Sequence, residues 1–538
     1  MHASRRTLLK LGGLGVLGAA GLTVPLGQSV QSKSASRLAR QNFPVPYRAV
    51  FARPPVLTPT ASYVNGNGEP VKEYTVTERA GLAGIVPGLL TPVYGYNGSV
   101  PGPTIDVERG TRVRLRVRNK LPATHPSHGH VFHTSVHLHG SPSLPEYDGY
   151  ADDVTLPGQY KDYYYDDDEP ARTLWYHDHG VHVTAQNAYS GLAAQYHLHD
   201  PVERALLPQG EFDVPITLSD AMFAADGTLS YDDRTHSGLW GDVILVNGRP
   251  WPAMRVKRRV YRFRVLNASI SRAYRPSLST GDPVTMVATD GGLMPVARPV
   301  TSWRHGNAER YEILIDFSRY AAGTRVLLRN LALANNIAYD HTNKIMAFDV
   351  VDDPVDTTDP TWNRLPTVLT GSATMDLRPA QAVRTRGFRL ARDPNTNEWT
   401  INGKTWHDVI DSGYTLLQAD PDLDDIEIWE VENKGGGWFH PLHIHLVDFQ
   451  ILSRNGRPPF DYERGPKDVV YVGENEKVRL LMQFEHHRGR YMMHCHNLPH
   501  EDHDMMAQFS VGLRDFDNDP HDPRLAALPQ LDTLPPDA

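Results

Sequence analysis

Ile426-Glu427-Ile428-Trp429-Glu430-Val431-Glu432-Asn433 alternates apolar and mostly acidic side chains and ends on an asparagine. Two other runs read the same way, Val113-Arg114-Leu115-Arg116-Val117-Arg118-Asn119 and Val260-Tyr261-Arg262-Phe263-Arg264-Val265-Leu266-Asn267. Successive side chains of an extended chain point to opposite faces, so each run makes a strand with one face on a core and one bearing charge. An Asn-Gly pair precedes each run, at Asn97-Gly98, Asn247-Gly248 and Asn402-Gly403, and the copies lie about 150 residues apart, the length of one sandwich domain. The repeat predicts an all-β chain of three similar domains, at 41–205, 206–370 and 371–515. A leader at 1–40 precedes them and an irregular tail at 516–538 follows. Pro201 to Pro215 and Asp352 to Asp376, rich in Pro, Asp and Thr, read as the linkers.

A chain of 538 residues has room for about three cores. The net charge of -9 and the lack of a Lys/Arg stripe exclude nucleic acid as a partner and favour small molecules. Ser4-Arg5-Arg6-Thr7-Leu8-Leu9-Lys10, followed by an uncharged, Gly-rich stretch from Leu11 to Leu26, reads as a twin-arginine export signal. Processing between Gly27 and Arg40 would leave no stable membrane span. The expected location is extracellular, at the cell surface or periplasmic. Cys495 is the only cysteine, so no disulfide forms within the chain.

Four triplets carry the chemistry: His137-Leu138-His139, His177-Asp178-His179, His443-Ile444-His445 and His494-Cys495-His496. Residues i and i+2 of a strand share a face, so each triplet aims two imidazoles at one place and its middle residue the other way. The first two triplets belong to the first copy and the last two to the third, with Asp178 where the third has Cys495. The middle copy has neither pair. Eight imidazoles converging between the outer domains can bind three metal ions and leave positions open for a small ligand. Nitrogen donors without carboxylate suit copper better than magnesium or calcium.

The Cys495 thiol faces away from that cluster, into the third domain. His440, three residues before His443, faces the same way by parity, and His500 and Met505 follow Cys495 at spacings of five and five. Two imidazoles, a thiolate and a thioether form the ligand set of a blue-copper electron-transfer site. One strand thus joins two metal sites. His197-Leu198-His199 and the group His125, His128, His130 and His133 have no counterpart in the third copy and read as loop or strand-end residues.

HLHG (137–140), HDHG (177–180), HPLHIH (440–445) and HCHNLPHEDHDMM (494–506) resemble the copper-binding motifs of the multicopper oxidase family with no ligand missing. YNGSVPGPTI (96–105), YRFRVLNAS (261–269), TDGG (289–292) and AERYEILIDFS (308–318) fit as well. Within the family, GGGWFHPLHIHLVDF (435–449), HLHGSPS (137–143) and HNLPHEDHDMM (496–506) are most similar to bilirubin oxidases and spore-coat laccases. The resemblance implies three cupredoxin-like Greek-key sandwich or barrel domains and four coppers. It assigns His440, Cys495, His500 and Met505 to a type 1 copper, and His137 and His443 to a type 2 copper. His139, His177, His179, His445, His494 and His496 then hold a type 3 pair.

The implied reaction takes single electrons from a small reductant and delivers four to dioxygen, with protons supplied alongside. Asp148 and Glu501 match acidic positions of the family's proton relay, against the plainer readings of a turn aspartate and a structural carboxylate. Trp438, two residues before His440, is either an aromatic-donor contact or a core tryptophan. Asp166-Asp167-Asp168-Glu169 reads as a solvated loop. The expected protein is a monomeric oxidase of phenols, aminophenols or bilirubin-like pyrroles. Alternatives are an oxidase of Cu(I) or another metal ion, an aminophenol-coupling oxidase, and an exported structural or copper-carrier protein of the same fold.

Overall fold

The computed structural model describes residues 36–126, 129–516 and 518–535. The export signal, and His128 of the histidine-rich group, lie outside the described residues. No described helix is long and apolar enough to cross a membrane.

The three alternating runs lie in the strands Arg112–Asn119, Val260–Asn267 and Ile426–Asn433. Each pairs in parallel with an earlier strand, Pro70–Ala83, Asp213–Ala221 or Arg384–Arg392, and the register is shared: Glu78 opposite Asn119, Leu218 opposite Asn267, Leu390 opposite Asn433. Asparagines set this register. Asn97, Asn247 and Asn402 adopt φ of 55°, 50° and 54°, and the glycines after them 69°, 73° and 74°, the left-handed pair that Asn-Gly turns favour. Their Oδ1 atoms accept from the backbone N–H of Thr77, Thr217 and Arg389 at 2.9, 2.7 and 2.8 Å, one residue before the shared register point.

The asparagines that end the runs also repeat one role. Asn119, Asn267 and Asn433 accept through Oδ1 from the N–H two residues on, at Leu121, Ser269 and Gly435. Through Nδ2 they donate to loop carbonyls: Phe132 and Thr155, Arg272 and His305, Trp438 and Gly473. All three are fully buried. They satisfy loop backbone that would otherwise be stranded away from water.

Each run lies in the larger sheet of a two-sheet sandwich, against a four-stranded partner. The apolar clusters between them draw on both sheets: Leu115 with Leu138 and Leu174, Phe263 with Phe348, Val431 with Leu442. Two of the four-stranded sheets carry the histidine triplets. One orders its strands Ile105–Glu108, Ala193–His199, Arg172–Asp178, Val136–His139, and the other Val469–Val472, His440–Ile444, Gly489–Cys495, Met506–Val511.

Several expectations change. The 201–215 segment is no plain linker: it holds the helix Pro201–Leu206, capped by the Asp200 carboxylate, and supplies Glu203 to Arg262 and Arg264. Two guanidiniums buried in the sandwich require that anion. Asp167 and Glu169 are buried while Asp166 and Asp168 are exposed, and Asp167 accepts from Tyr196 Oη at 2.6 Å, so alternation governs this stretch too. His199 ends the strand Ala193–His199 as expected while His197 lies inside it, and both are buried, bonded to Glu203 and Gln195. The tail is mostly irregular but anchored, because Gln530–Leu531 pairs with Gln159 and Tyr160 and Asp532 bonds the buried Arg118 at 2.7 Å.

Replacing Asn267 by Ala strands the Ser269 N–H in the interior and takes one of two donors from each of the Arg272 and His305 carbonyls. Chemical denaturation should register a loss of about 1–3 kcal/mol, and an unchanged denaturation midpoint would contradict the bracing role.

Candidate metal centre

Strand pairing brings the triplets together two by two. His137 lies directly opposite His177, and His443 opposite His494. The four strands converge so that His137 Nε2 is 3.3 Å from His443 Nε2, His179 Nε2 is 3.0 Å from His494 Nε2, and His445 Nε2 is 3.1 Å from the same His494 atom. All eight rings are buried. Gly149 permits the turn beneath them: with φ of 77°, a Cβ there would sit 2.6 Å from the His137 backbone.

The outward nitrogens identify the tautomers. A carbonyl only accepts, so His137, His177 and His443 donate through Nδ1 to the carbonyls of Asp148, Asp178 and Asp468 at 2.5, 2.7 and 2.9 Å. His445 Nδ1 lies 2.8 Å from Asp148 Oδ2, and His494 Nδ1 lies 2.8 Å from Glu501 Oε2. Burial first, and neighbouring rings second, hold His177, His443, His445 and His496 neutral, well below the usual imidazole range. His179 falls to about 3, burial outweighing the pull of Glu501. A neutral ring that donates on one side carries a lone pair on the other. Inward-facing Nε2 atoms of this kind meet lone pair to lone pair, and His177 Nε2 and His496 Nε2 have no hydrogen-bond partner. Only cations resolve such an arrangement in a dry interior.

Behind the same strand is the second group. Cys495 Sγ lies 3.4 Å from His440 Nδ1 and 3.6 Å from His500 Nδ1, and the two ring nitrogens are 3.2 Å apart. His500 donates through Nε2 to the Ser237 carbonyl at 3.1 Å, which leaves its lone pair on Nδ1, toward the sulfur. Burial takes His440 down to about 3 and pushes the Cys495 thiol above its usual range. A thiol so enclosed ionises only against a cation. Met505 is fully buried in the same apolar cluster, and its carbonyl accepts from the Cys495 N–H at 3.0 Å.

Residues 84–203 and 381–515, which contain every histidine of both groups and Cys495, match family models described as multicopper oxidase. A bilirubin oxidase of Albifimbria verrucaria is 41% identical over 479 residues, covering 85% of this chain and 80% of the relative. The chain belongs to the multicopper oxidase family. A Bacillus subtilis laccase is 33% identical, covering 80% of this chain and 91% of that one. The crystal structure of a Pediococcus acidilactici laccase matches with a TM-score of 0.75 at 30% identity over 88% of this chain and 95% of that one. The protein is accordingly an all-β, copper-dependent oxidase of the cupredoxin-like type, acting on small molecules and dioxygen, and both histidine groups have the donor chemistry copper requires.

Other residues of the oxidase site fall where their surroundings dictate. Asp148 is 2% exposed, and burial raises its carboxyl above the usual range. Glu501, 3% exposed, lies against His494 and His179. Trp438 does not share a strand with His440, because that strand begins at His440. It sits in the loop ahead, half-buried, edge-on to the His500 ring at 5.6 Å and stacked on Trp240 at 6.1 Å. Sequence reasoning missed two tryptophans. Trp399 stacks on His500 at 3.9 Å and lies in no histidine motif, while Trp175 stacks on His177 at 4.0 Å from two residues earlier in the same strand, where the period-two count could have found it.

Because apposed lone pairs destabilise the metal-free interior, chelation should lower the unfolding temperature by at least about 5 °C and copper should restore it. Calorimetry that finds the two forms equally stable would contradict the convergent-lone-pair geometry.

Proposed function

We propose that the chain oxidises small aromatic donors, phenols, aminophenols or bilirubin-like pyrroles, one electron at a time, and reduces dioxygen to water. In this reading His440, Cys495, His500 and Met505 hold a type 1 copper, His137 and His443 a type 2 copper, and His139, His177, His179, His445, His494 and His496 a type 3 pair. The three domains span 41–205, 206–370 and 371–515, and the chain works as a monomer after twin-arginine export.

The observation that carries the reading is the strand Gly489–Cys495, where Cys495 faces His440 and His500 while His494 faces His179 and His445 on the other side. Copper bound there supplies one-electron uptake at the thiolate site and four-electron reduction of dioxygen among the imidazoles. The chain's own residues do the rest. The peptide from Cys495 to His494 and His496 forms a covalent bridge between the two groups. Trp438 offers a half-buried aromatic edge beside His500, with exposed Gly436 and Gly437 next to it, so a flat donor can approach without a deep pocket. Asp148 Oδ2 accepts from His445 Nδ1 and Glu501 Oε2 lies 2.8 Å from His494 Nδ1, which puts one carboxylate beside each of two cluster rings as a route for protons toward the interior.

In Cys495→Ser the intense blue absorption and donor turnover should vanish while copper stays on the eight imidazoles; undiminished blue colour would refute the assignment. Glu501→Gln should keep the colour and lower kcat by about a hundredfold, and an unaltered kcat would remove Glu501 from the relay. Oxygen uptake by copper-loaded enzyme, compared across bilirubin, a phenolic donor, an o-aminophenol and Cu(I), tests the donor class. Aromatic donors should give the higher kcat/KM, and faster turnover of Cu(I) would overturn that part.

A further inference from the structure

His139 breaks the pattern of its neighbours. The rings of His137, His177, His443 and His445 direct Nδ1 outward, whereas His139 directs Nε2 to Asp468 Oδ1 at 3.1 Å and its Nδ1 is buried without a partner. A carboxylate accepts, so its N–H is on Nε2 and its lone pair on Nδ1, the reverse of the tautomer His177 and His443 adopt. One carboxylate therefore decides which nitrogen faces the cluster.

Arg310 holds that carboxylate in a two-pronged grip, Nη1 to Oδ1 at 2.6 Å and Nη2 to Oδ2 at 2.5 Å. It comes from the seven-stranded sheet of the middle repeat, which carries no histidine triplet. Its own placement is fixed on two sides, and one of those partners is itself held. Nε donates to the Thr173 carbonyl at 2.9 Å, the backbone N–H donates to Asp290 Oδ1 at 2.7 Å, and Asp290 Oδ2 pairs with Lys467 Nζ, beside Asp468, at 2.8 Å. Arg310, Asp290, Lys467 and Asp468 are all buried. The residue after His139 leaves room for the grip: a Cβ on Gly140 would lie 2.5 Å from Arg310 Nη2 and 2.7 Å from Asp468 Oδ2. A lysine cannot reproduce the fork, since its ammonium is a point charge.

We propose that Arg310 is a positioning residue of the dioxygen-side cluster, which orients Asp468 so that His139 offers Nδ1 to copper. The middle repeat, without a ligand of its own, thereby sets the geometry of a ligand in the first. This rests on the ligand reading above.

The test uses the copper-loaded full chain with Arg310→Lys, Asp468→Asn and His139→Ala. Its readouts are copper per chain, the blue absorption, the paramagnetic resonance of the non-blue copper and the rate of copper release to a chelator. Both Arg310→Lys and Asp468→Asn should keep the blue site and release cluster copper about ten- to a hundredfold faster, with an altered non-blue resonance. Asp468→Asn carries the test alone if Arg310→Lys does not fold. Native release and resonance in both, alongside cluster loss in His139→Ala, overturn the inference and leave the ligand reading standing. Equal loss of blue and cluster copper also overturns it, since that marks a general structural prop. An intact cluster in His139→Ala overturns the ligand reading, and the inference with it.

Discussion

Imidazoles packed nitrogen to nitrogen with no proton between them repel through their lone pairs, and this oxidase buries five of its eight cluster rings in such contacts. His137 and His443, His179 and His494, and His445 and His494 approach to 3.3, 3.0 and 3.1 Å through Nε2. The arrangement persists because six of the eight rings are held from behind. Carbonyls of Asp148, Asp178 and Asp468 and carboxylates of Asp148, Asp468 and Glu501 take the outward protons or fix the outward edges. Those acceptors make the interior a set of preoriented donors for a cation, which is how outer partners tune metal sites in general.

The scaffold that aims these groups is the threefold repeat. Shared register at Asn119, Asn267 and Asn433 sets each long strand against its parallel neighbour, and the buried asparagine amides fasten the loops that follow. In the third copy the same amide holds the carbonyl of Trp438, so one bond of the fold reaches the proposed donor-facing loop. The middle copy has lost the triplets and kept the strands. Its Arg310 reaches the cluster through Asp468, so the sandwich without histidine pairs is coupled to the chemistry.

Alternation made most of this legible. Period two identified the three strands, separated Cys495 and His440 from the histidine pairs, and grouped the eight imidazoles, because strand geometry is local. What depended on long-range packing stayed hidden. Asp468 and Trp399 touch histidines far away in sequence, and no local pattern marks them, whereas Trp175 lies two residues before His177 on one strand, within reach of the same period-two count. Counting back two residues from His440 would put Trp438 on a shared strand face, but the strand begins at His440 and the Gly-rich 435–437 segment breaks the alternation before it. The Asp166 to Glu169 run looked solvated by composition, yet burial alternates past the strand end and takes in every second carboxylate, with Asp167 turned inward at a φ of 52°. The Arg262 and Arg264 side chains looked like a charged outer face and are buried against Glu203, Asp213 and Glu312, because a second sandwich covers that face.

One strand, through His494, Cys495 and His496, is proposed to serve two metal sites, one on each of its sides. Anomalous diffraction at the copper edge from crystals of the copper-loaded protein tests it most directly. The predicted map has one peak bonded to Cys495 Sγ and the Nδ1 atoms of His440 and His500, and three peaks among the eight imidazoles, including one against His494 and one against His496. A map without the thiolate peak, or with no copper on the far side of that strand, would contradict it.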